Sequence, residues 1–264
     1  MDVKVGSEFI KEQRRSSIEI IQLNRPEKFN ALSREMIVSL SDTFTNLARD
    51  AQLRAVILTG AGDKSFCAGT DISELTQLTE RDAKTVSERG QSLCNQIENS
   101  PVPVIAAING IAAGGGCELA LACHIRIASN NARFSLPETK LGIIPGYGGT
   151  QRLAREIGAG HALEMMLTGK TVNAEEALQS GLINRLTSAG DLLAEAELLA
   201  HEIAQLAPLA IRACLKAMTL GLELPLAEGL ALETELFAGL FGTEDMREGT
   251  RAFLEKRRPV FKGC

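Results

Sequence analysis

Short aliphatic segments of strand length alternate with stretches of helical periodicity through the first half of the chain. Segments rich in Ile, Val, Leu and Ala occupy residues 18–23, 55–59, 102–108 and 125–128, and each is followed by Gly, Asn or Ser. Apolar residues recur at helical spacing over residues 33–49, and residues 82–99 fill the next gap similarly. The order β-α-β-α-β favours parallel strands joined by right-handed crossovers. The sequence therefore predicts an α/β fold around a parallel sheet.

The second half of the chain predicts a helical appendage to one main core. The chain has 264 residues, of which 45% are hydrophobic and 23% charged, a balance typical of a globular protein with a sizeable core. From about residue 158 onward the pattern is helical almost throughout, with caps or breakers at Asn173, Gly181, Pro208, Pro225 and Thr243.

Residues 225–241 carry a broad apolar face late in the chain. Its members are Leu226, Leu230, Phe237, Leu240 and Phe241. Apolar faces of terminal helices usually dock onto their own domain, so internal packing is the favoured interpretation. Contact with a neighbouring subunit is the alternative.

Charge and cysteine usage restrict the partners and the compartment. The net charge of −5 disfavours nucleic acid, and it requires a local cluster of donors for any anionic ligand. The six cysteines form no CxxC pair, and the first twenty residues contain no apolar stretch of signal-peptide length. No later run approaches the roughly 18 apolar residues of a membrane span. We expect a soluble cytoplasmic protein with reduced thiols and no membrane partner.

Common nucleotide, hydrolase and metal signatures fail on inspection. The segment GYGGTQ at 146–151 has Gln where a dinucleotide fingerprint needs Gly or Ala, and GKT at 169–171 lacks the first glycine of a P-loop. Ser65 does not stand in a GxSxG elbow, and the three histidines lack metal-ligand spacing. NAD binding, P-loop nucleotide binding, serine hydrolysis and zinc binding are therefore disfavoured.

Two glycine-containing turns follow predicted strands, SFCAGTDI at 65–72 and NGIAAGGGCELA at 109–120. Small residues let backbone N–H groups approach a ligand, and a helix start leaves such donors unpaired. The triple glycine before Cys117 suits an N–H aimed at a developing oxyanion, although a tight packing turn explains it equally well. Glu118 in a first helical turn and Glu138 in a loop also have purely structural explanations. The residues alone leave these alternatives open.

Taken together, the motifs resemble the enoyl-CoA hydratase/isomerase superfamily in order and spacing. They are RP at 25–26, NAL at 30–32, AGTDI at 68–72, NG to GGGCELA at 109–120, PE to PGYGGTQRL at 137–153 and EKRRPVFKG at 255–263. The likeness covers nearly the whole chain. It implies a crotonase-like spiral of β-β-α units over residues 1–200. It also implies a helical C-terminal trimerisation region over residues 201–264, commonly in hexamers built from two trimers. The 225–241 face would then lie between subunits.

The resemblance also implies a reaction. In this family two backbone N–H groups hold the thioester carbonyl, and they map onto Thr70 and Gly115. Family members that hydrate double bonds carry glutamates at the positions of Glu118 and Glu138. We expect reversible addition of water to a trans-2-enoyl-CoA, giving a 3-hydroxyacyl-CoA in fatty-acid or related acyl-CoA degradation. Coenzyme A would be part of the substrate, with no metal or redox cofactor.

The resemblance further implies a coenzyme site. The residues matched to it are Ala68, Thr70, Asp71, Ile72, Ser73 and Gly115, with Phe237 and Lys256 approaching from a neighbouring subunit. Lys256 is equally consistent with a solvated surface lysine. Ser73 and His124 depart from the residues common in the family, and His124 is interpreted as a packing residue. Tyr147, the only tyrosine, lies in a loop that could border the acyl pocket.

Alternative functions remain at this point. The same scaffold supports double-bond isomerisation and hydration of branched substrates such as 3-methylglutaconyl-CoA. RNA binding is suggested by residues 138–145, which resemble a family member that binds AU-rich RNA, but the overall acidity argues against it. A thiol enzyme using Cys67 or Cys117 would need an activating His, and none is close in sequence.

Overall fold

The structure, a computed structural model, describes residues 3–264, with side chains from Glu8 onward. The strands are β1 (Val3–Ser7), β2 (Ile10–Arg15), β3 (Ile18–Leu23), β4 (Ala55–Gly60), β5 (Ser65–Cys67), β6 (Val104–Ile108), β7 (Ile111–Ala113), β8 (Ile125–Ser129), β9 (Arg133–Ser135), β10 (Val172–Asn173) and β11 (Arg185–Thr187). The helices are α1 (Arg34–Leu47), α2 (Ile72–Leu75), α3 (Glu80–Glu98), α4 (Gly115–Leu121), α5 (Gly149–Ile157), α6 (Ala159–Thr168), α7 (Ala174–Gln179), α8 (Leu192–Ala204), α9 (Pro208–Gly221), α10 (Leu226–Leu240) and α11 (Glu244–Leu254). Short 3-10 helices occupy Pro26–Lys28 and Glu138–Leu141.

A large sheet has the strand order β1-β2-β3-β4-β6-β8-β11. Strands β3, β4, β6, β8 and β11 run parallel, whereas β1 and β2 join them as an antiparallel hairpin. Each of the four aliphatic segments noted in the sequence becomes one of the parallel strands, with ends that agree within two residues. The predicted parallel α/β sheet is therefore confirmed. The N-terminal hairpin was not predicted, because β2 is mostly polar.

A smaller sheet has the order β10-β9-β7-β5, in which β5, β7 and β9 are parallel. Consecutive strands alternate between the two sheets, because β4, β6 and β8 lie in the large sheet and β5, β7 and β9 in the small one. A helix follows each strand pair, which gives the repeated β-β-α unit. This architecture confirms the predicted crotonase-like spiral.

The core occupies both faces of the large sheet. In β4, Ala55 and Ile57 face α8 on one side, and Val56 and Leu58 face the layer between the sheets on the other, because successive strand side chains point to opposite faces. All four are fully buried. Burial on both faces explains why the parallel strands read as continuous aliphatic runs instead of alternating ones.

The C-terminal helices begin at the predicted caps. The Asn173 side chain accepts a hydrogen bond from the Glu176 N–H in a capping box, Pro208 is the first residue of α9, and Thr243 caps α11. Gly181 adopts a φ of 82° after α7. No single helix within residues 3–264 is long and apolar enough to cross a bilayer, and only the pair α8 and α9, bent by 107°, reaches the required length and composition together.

The apolar face at residues 225–241 is not covered by its own chain, so the expectation of internal packing is wrong. Helix α10 has no buried residue, and Leu226 and Phe237 are 78% and 63% exposed. Helices α9 and α10 pack against each other, with Gly221 next to Gly229, but this contact covers only part of each helix. The groove between them has a volume of about 580 Å³ and an almost entirely apolar lining. The face therefore stays available to another surface.

Candidate active site

The small sheet brings the sequence motifs together. Because β5, β7 and β9 are parallel neighbours, their carboxyl ends lie at one edge, where ligands bind in many α/β proteins. The segments that follow these strands contain Thr70, Gly115 and Glu138. All three line one cavity of about 500 Å³, together with Glu118 and Tyr147. Most of its wall is apolar and comes from α2, α3 and residues 141–144.

The segment after β5 turns the Thr70 N–H toward this cavity. Thr70 forms a parallel bridge with Leu32, in which the Leu32 N–H donates to Gly69 O at 2.7 Å and the Asp71 N–H donates to Leu32 O at 3.0 Å. The N–H of the residue between those two points away from the bridged strand. It donates to no protein oxygen within residues 8–264. The Thr70 amide is therefore free to bind a ligand.

The segment after β7 provides a second free amide, at Gly115. Gly114 has a φ of 50°, and Gly115 begins α4, where the first N–H groups have no acceptor within the helix. A Cβ on Gly116 would lie 2.1 Å from Cys67 O, and one on Gly69 would lie 3.2 Å from Gly115 N. The glycines thus let the two segments touch, and they place both free amides side by side.

Glu118 lies one turn into α4 and is 2% exposed. Its Oε1 accepts hydrogen bonds from the N–H groups of Tyr147 at 2.8 Å and Gly149 at 2.6 Å. Burial raises the pKa of Glu118, and these backbone donors oppose that shift. The carboxylate is therefore oriented by main-chain donors while it remains a usable base.

Glu138 follows β9 and starts the second 3-10 helix. Its side chain is buried, yet Oε2 has no hydrogen-bond partner. Burial raises the pKa of Glu138 to about 7, and the nearby Glu118 carboxylate contributes to the increase. A carboxyl group with that pKa is substantially protonated at neutral pH and can donate a proton inside the cavity.

The other residues matched to the substrate lie in two places. Ala68 and Ile72 line the cavity. Asp71 and Ser73 lie beside it: the Asp71 carboxylate accepts hydrogen bonds from Arg25 at 3.1 Å and the Ser73 hydroxyl at 2.7 Å, and it caps α2. Apart from Ile72, sequence reasoning missed the apolar wall, although the aliphatic run at residues 141–144 was a visible signal of it.

Phe237 and Lys256 are not brought to the cavity within one chain. Phe237 lies on α10 in the groove with α9, where its ring meets Phe241 edge-on at 5.0 Å. Lys256 follows α11 and is exposed, with a φ of 54°. Their assignment to the coenzyme of a neighbouring subunit stays a prediction.

The remaining candidate groups have structural environments. His124 Nδ1 accepts from the Val104 N–H at 2.9 Å and Nε2 pairs with Glu98 O at 3.1 Å, while burial lowers the His124 pKa. Burial raises the pKa of Cys67 to about 12 and also raises that of Cys117, which disfavours the reactive thiolate. In the part of the chain that the structure describes, no cluster of three His, Cys, Asp or Glu side chains could hold a metal ion.

Comparison with protein families and known proteins gives one consistent result. The sequence profile of the enoyl-CoA hydratase/isomerase family matches residues 13–264. The short-chain-enoyl-CoA hydratase of Clostridium acetobutylicum is 40% identical over 246 residues, which cover 93% of this chain and 94% of that protein. The crotonyl-CoA hydratase of Syntrophomonas wolfei is 39% identical over 249 residues, covering 94% and 96% respectively.

Solved structures agree with the sequence comparisons. The crystal structure of an enoyl-CoA hydratase from Bacillus anthracis superimposes with a TM-score of 0.94 at 41% identity. The match covers 97% of this chain and 100% of that one.

Proposed function

Because the chain belongs to the enoyl-CoA hydratase/isomerase family, we propose that it is an enoyl-CoA hydratase, which adds water reversibly across the double bond of a trans-2-enoyl-CoA. The observation that carries this proposal is the shared cavity. Two buried glutamates, Glu118 and Glu138, line it together with Thr70 and Gly115, whose amides are free.

The two free amides would bind the thioester oxygen. Attack of water at C3 moves electrons through the conjugated system onto that oxygen, so negative charge develops there. The N–H groups of Thr70 and Gly115 are preorganised to stabilise this charge, and the start of α4 adds its dipole. Removing one such donor typically costs about 10²–10³ in rate.

The two glutamates would divide the proton transfers. Glu118, held by two backbone N–H groups, accepts a proton from the attacking water as the oxygen bonds to C3. Glu138, with its raised pKa, delivers a proton to C2 as the charge returns from the thioester oxygen. Each role is worth roughly 10²–10⁴ in rate. Hydration forms a C–O bond at C3 and a C–H bond at C2 in place of the π bond, with no net oxidation or reduction, so we propose that it uses no cofactor beyond the coenzyme A of the substrate.

The proposal is tested by the variants Glu118→Gln and Glu138→Gln. Each should lower kcat for hydration of crotonyl-CoA by about 10²–10⁴, because amides neither accept nor deliver the proton. Loss of the crotonyl-CoA absorbance measures the rate. Glu88→Gln, an exposed change on α3, is the matched control and should keep the wild-type rate. Wild-type turnover in both cavity variants would overturn the proposal.

The coenzyme site and assembly extend the same proposal. We propose that residues 68–73 line the coenzyme path, and that Phe237 and Lys256 reach the coenzyme bound to a neighbouring subunit.

The exposed apolar groove of α9 and α10 supports a trimer, or a hexamer of two trimers. We also propose a spiral core over residues 1–200 and a trimerisation region over residues 201–264. The six free cysteines support a cytoplasmic location, and fatty-acid or related acyl-CoA degradation is the proposed role.

The alternative activities are less well supported. The presence of both glutamates in one cavity favours hydration over isomerisation, and product analysis with crotonyl-CoA distinguishes the two. Hydration of 3-methylglutaconyl-CoA is not favoured, because the relatives are a short-chain-enoyl-CoA hydratase and a crotonyl-CoA hydratase. RNA binding finds no support in the overall net charge of −5.

A further inference from the structure

Tyr147 contacts both the proposed general base, Glu118, and the proposed oxyanion donor, Thr70. Its backbone N–H donates to Glu118 Oε1 at 2.8 Å, and its phenol oxygen accepts a hydrogen bond from Thr70 Oγ1 at 3.0 Å. The side chain is 4% exposed, and burial raises the pKa of the phenol to about 12. The phenol is uncharged at neutral pH, and its oxygen lies at hydrogen-bonding distance from the Thr70 hydroxyl.

Two glycines fix the position of the Tyr147 ring. A Cβ on Gly90, inside α3, would lie 2.0 Å from ring atom Cδ1, and a Cβ on Gly115 would lie 3.0 Å from Cε2 on the opposite edge. A glycine within a helix costs about 1 kcal/mol relative to Ala. Close contact with the ring explains the presence of Gly90 despite that cost. Because the ring is confined on both edges, its hydroxyl is a fixed point in the cavity wall.

Thr70 needs such a fixed point because its backbone is held on one side only. The bridge with Leu32 restrains the side away from the cavity. The preceding residue, Gly69, has a φ of 99°, a region that glycine enters freely. Thr70 is β-branched and therefore stiff about χ1, so a hydrogen bond to its hydroxyl also restricts rotation of its backbone.

We propose that Tyr147 is a positioning residue for the oxyanion site: its hydroxyl, confined between Gly90 and Gly115, holds the Thr70 N–H beside the Gly115 N–H. This inference rests on the proposed function, because it assigns the thioester oxygen to these two amides. Fixed donors accelerate the reaction because they need no reorganisation as charge develops. Loosening Thr70 should therefore lower kcat while binding of the substrate is largely kept.

The experiment removes the same hydrogen bond from its two ends. Tyr147→Phe and Thr70→Val each lose one hydroxyl and keep every backbone N–H. Each should lower kcat for crotonyl-CoA by about tenfold, less than the 10²–10³ lost with a whole donor, and leave KM within about twofold. The double variant should be no slower than either single one, because the shared bond is already gone. Thr85→Val on α3, whose hydroxyl bonds only to Arg81 O, is the control and should keep the wild-type rate.

The band position of a chromophore at saturating protein gives a second readout, which reports polarisation of the bound carbonyl and is separate from the fraction bound and from turnover. The absorption band of 4-(dimethylamino)cinnamoyl-CoA moves to the red when its carbonyl is polarised, so wild-type protein should shift it and both single variants should shift it less. The pH profile of kcat should keep its shape, because Glu118 retains both backbone donors. Multiplied losses in the double variant, or a wild-type band shift and rate in Tyr147→Phe, would overturn the inference. Failure of the wild-type protein to hydrate crotonyl-CoA would overturn the proposed function instead.

Discussion

The two glutamates of the cavity have the same chemistry but different surroundings. Glu118 accepts hydrogen bonds from the N–H groups of Tyr147 and Gly149, whereas the Glu138 carboxyl interacts with its own backbone N–H and leaves Oε2 without a partner. Burial raises the pKa of both, and that of Glu138 reaches about 7. Such a difference is how an enzyme obtains a base and an acid from one residue type. Under the proposed function, these surroundings favour Glu118 as the proton acceptor and Glu138 as the proton donor.

The raised pKa of Glu138 makes stability depend on pH. Its pKa is about 7 in the folded chain and 4.5 as the ordinary value, so the unfolded chain loses the proton first as pH rises. The contribution of Glu138 to the free energy of unfolding of the wild-type protein is fully present below pH 4.5 and is lost as the pH rises through about 7. Glu138→Gln removes the effect. Its free energy of unfolding relative to wild type should rise by about 2–3 kcal/mol between pH 4 and pH 8.

Urea unfolding at a fixed protein concentration measures this difference. Glu118 is present in both proteins, so its own contribution largely cancels. A difference that stays constant with pH would show that Glu138 ionises at its ordinary value in the folded chain.

At the scale of elements, the site depends on close contacts among α3, α4 and the segments after the small-sheet strands. Gly90 gives α3 the space for the Tyr147 ring, and Gly116 lets α4 approach the end of β5. Interiors are packed densely enough that one added methyl group is felt. Glycine therefore occurs at these two helical positions because of the close contacts around the site, and not because of helix propensity.

Gly90→Ala should destabilise the protein although Ala is the better helix former. The new Cβ would lie 2.0 Å from the Tyr147 ring, so the overpacking cost of about 1–3 kcal/mol exceeds the propensity gain of about 1 kcal/mol. Thermal unfolding measures the effect. Gly160→Ala in α6, where no atom lies within 4 Å of the added Cβ, should be neutral or slightly stabilising. Equal midpoints for the two variants would contradict this account.

Sequence patterns identified elements better than they identified contacts. The parallel strands follow from aliphatic runs, and the starts of α7, α9 and α11 follow from Asn173, Pro208 and Thr243. The positions of the two glutamates came from resemblance, because a first-turn carboxylate alone has a structural explanation. The contact of Tyr147 with Gly90 could not be predicted, since it depends on how α3 lies against a loop distant in the chain.

At the scale of the whole molecule, three β-β-α units place three successive segments at one edge of the small sheet. The C-terminal helices α9 and α10 extend from this spiral with an apolar groove that their own chain leaves open. Apolar periodicity alone favoured packing inside the domain, whereas the family resemblance implied a face between subunits, because periodicity reports an apolar face but not which surface covers it. A second copy of the chain is the covering surface under the proposed assembly.

Leu230→Glu should convert the proposed trimer or hexamer to monomers. Leu230 is 52% exposed within the α9–α10 groove, and a buried, unpaired carboxylate costs several kcal/mol. Light scattering after size-exclusion chromatography gives the mass. Val38→Glu, at a residue 46% exposed on α1, is the control and should keep the wild-type mass. A monomeric wild-type protein would refute the assembly while leaving the cavity chemistry untouched.

Both backbone N–H groups that donate to Glu118 bind the same carboxylate oxygen, Oε1. The second oxygen is then the one left for water, and its direction is set by the main chain of residues 147 and 149. With the acyl group held by the Thr70 and Gly115 amides, as proposed, water aligned by that oxygen reaches one face of the planar alkene. Under the proposed chemistry, the configuration of the new alcohol carbon therefore depends on the backbone N–H groups of residues 147 and 149. Side-chain substitutions in that loop should leave this configuration unchanged.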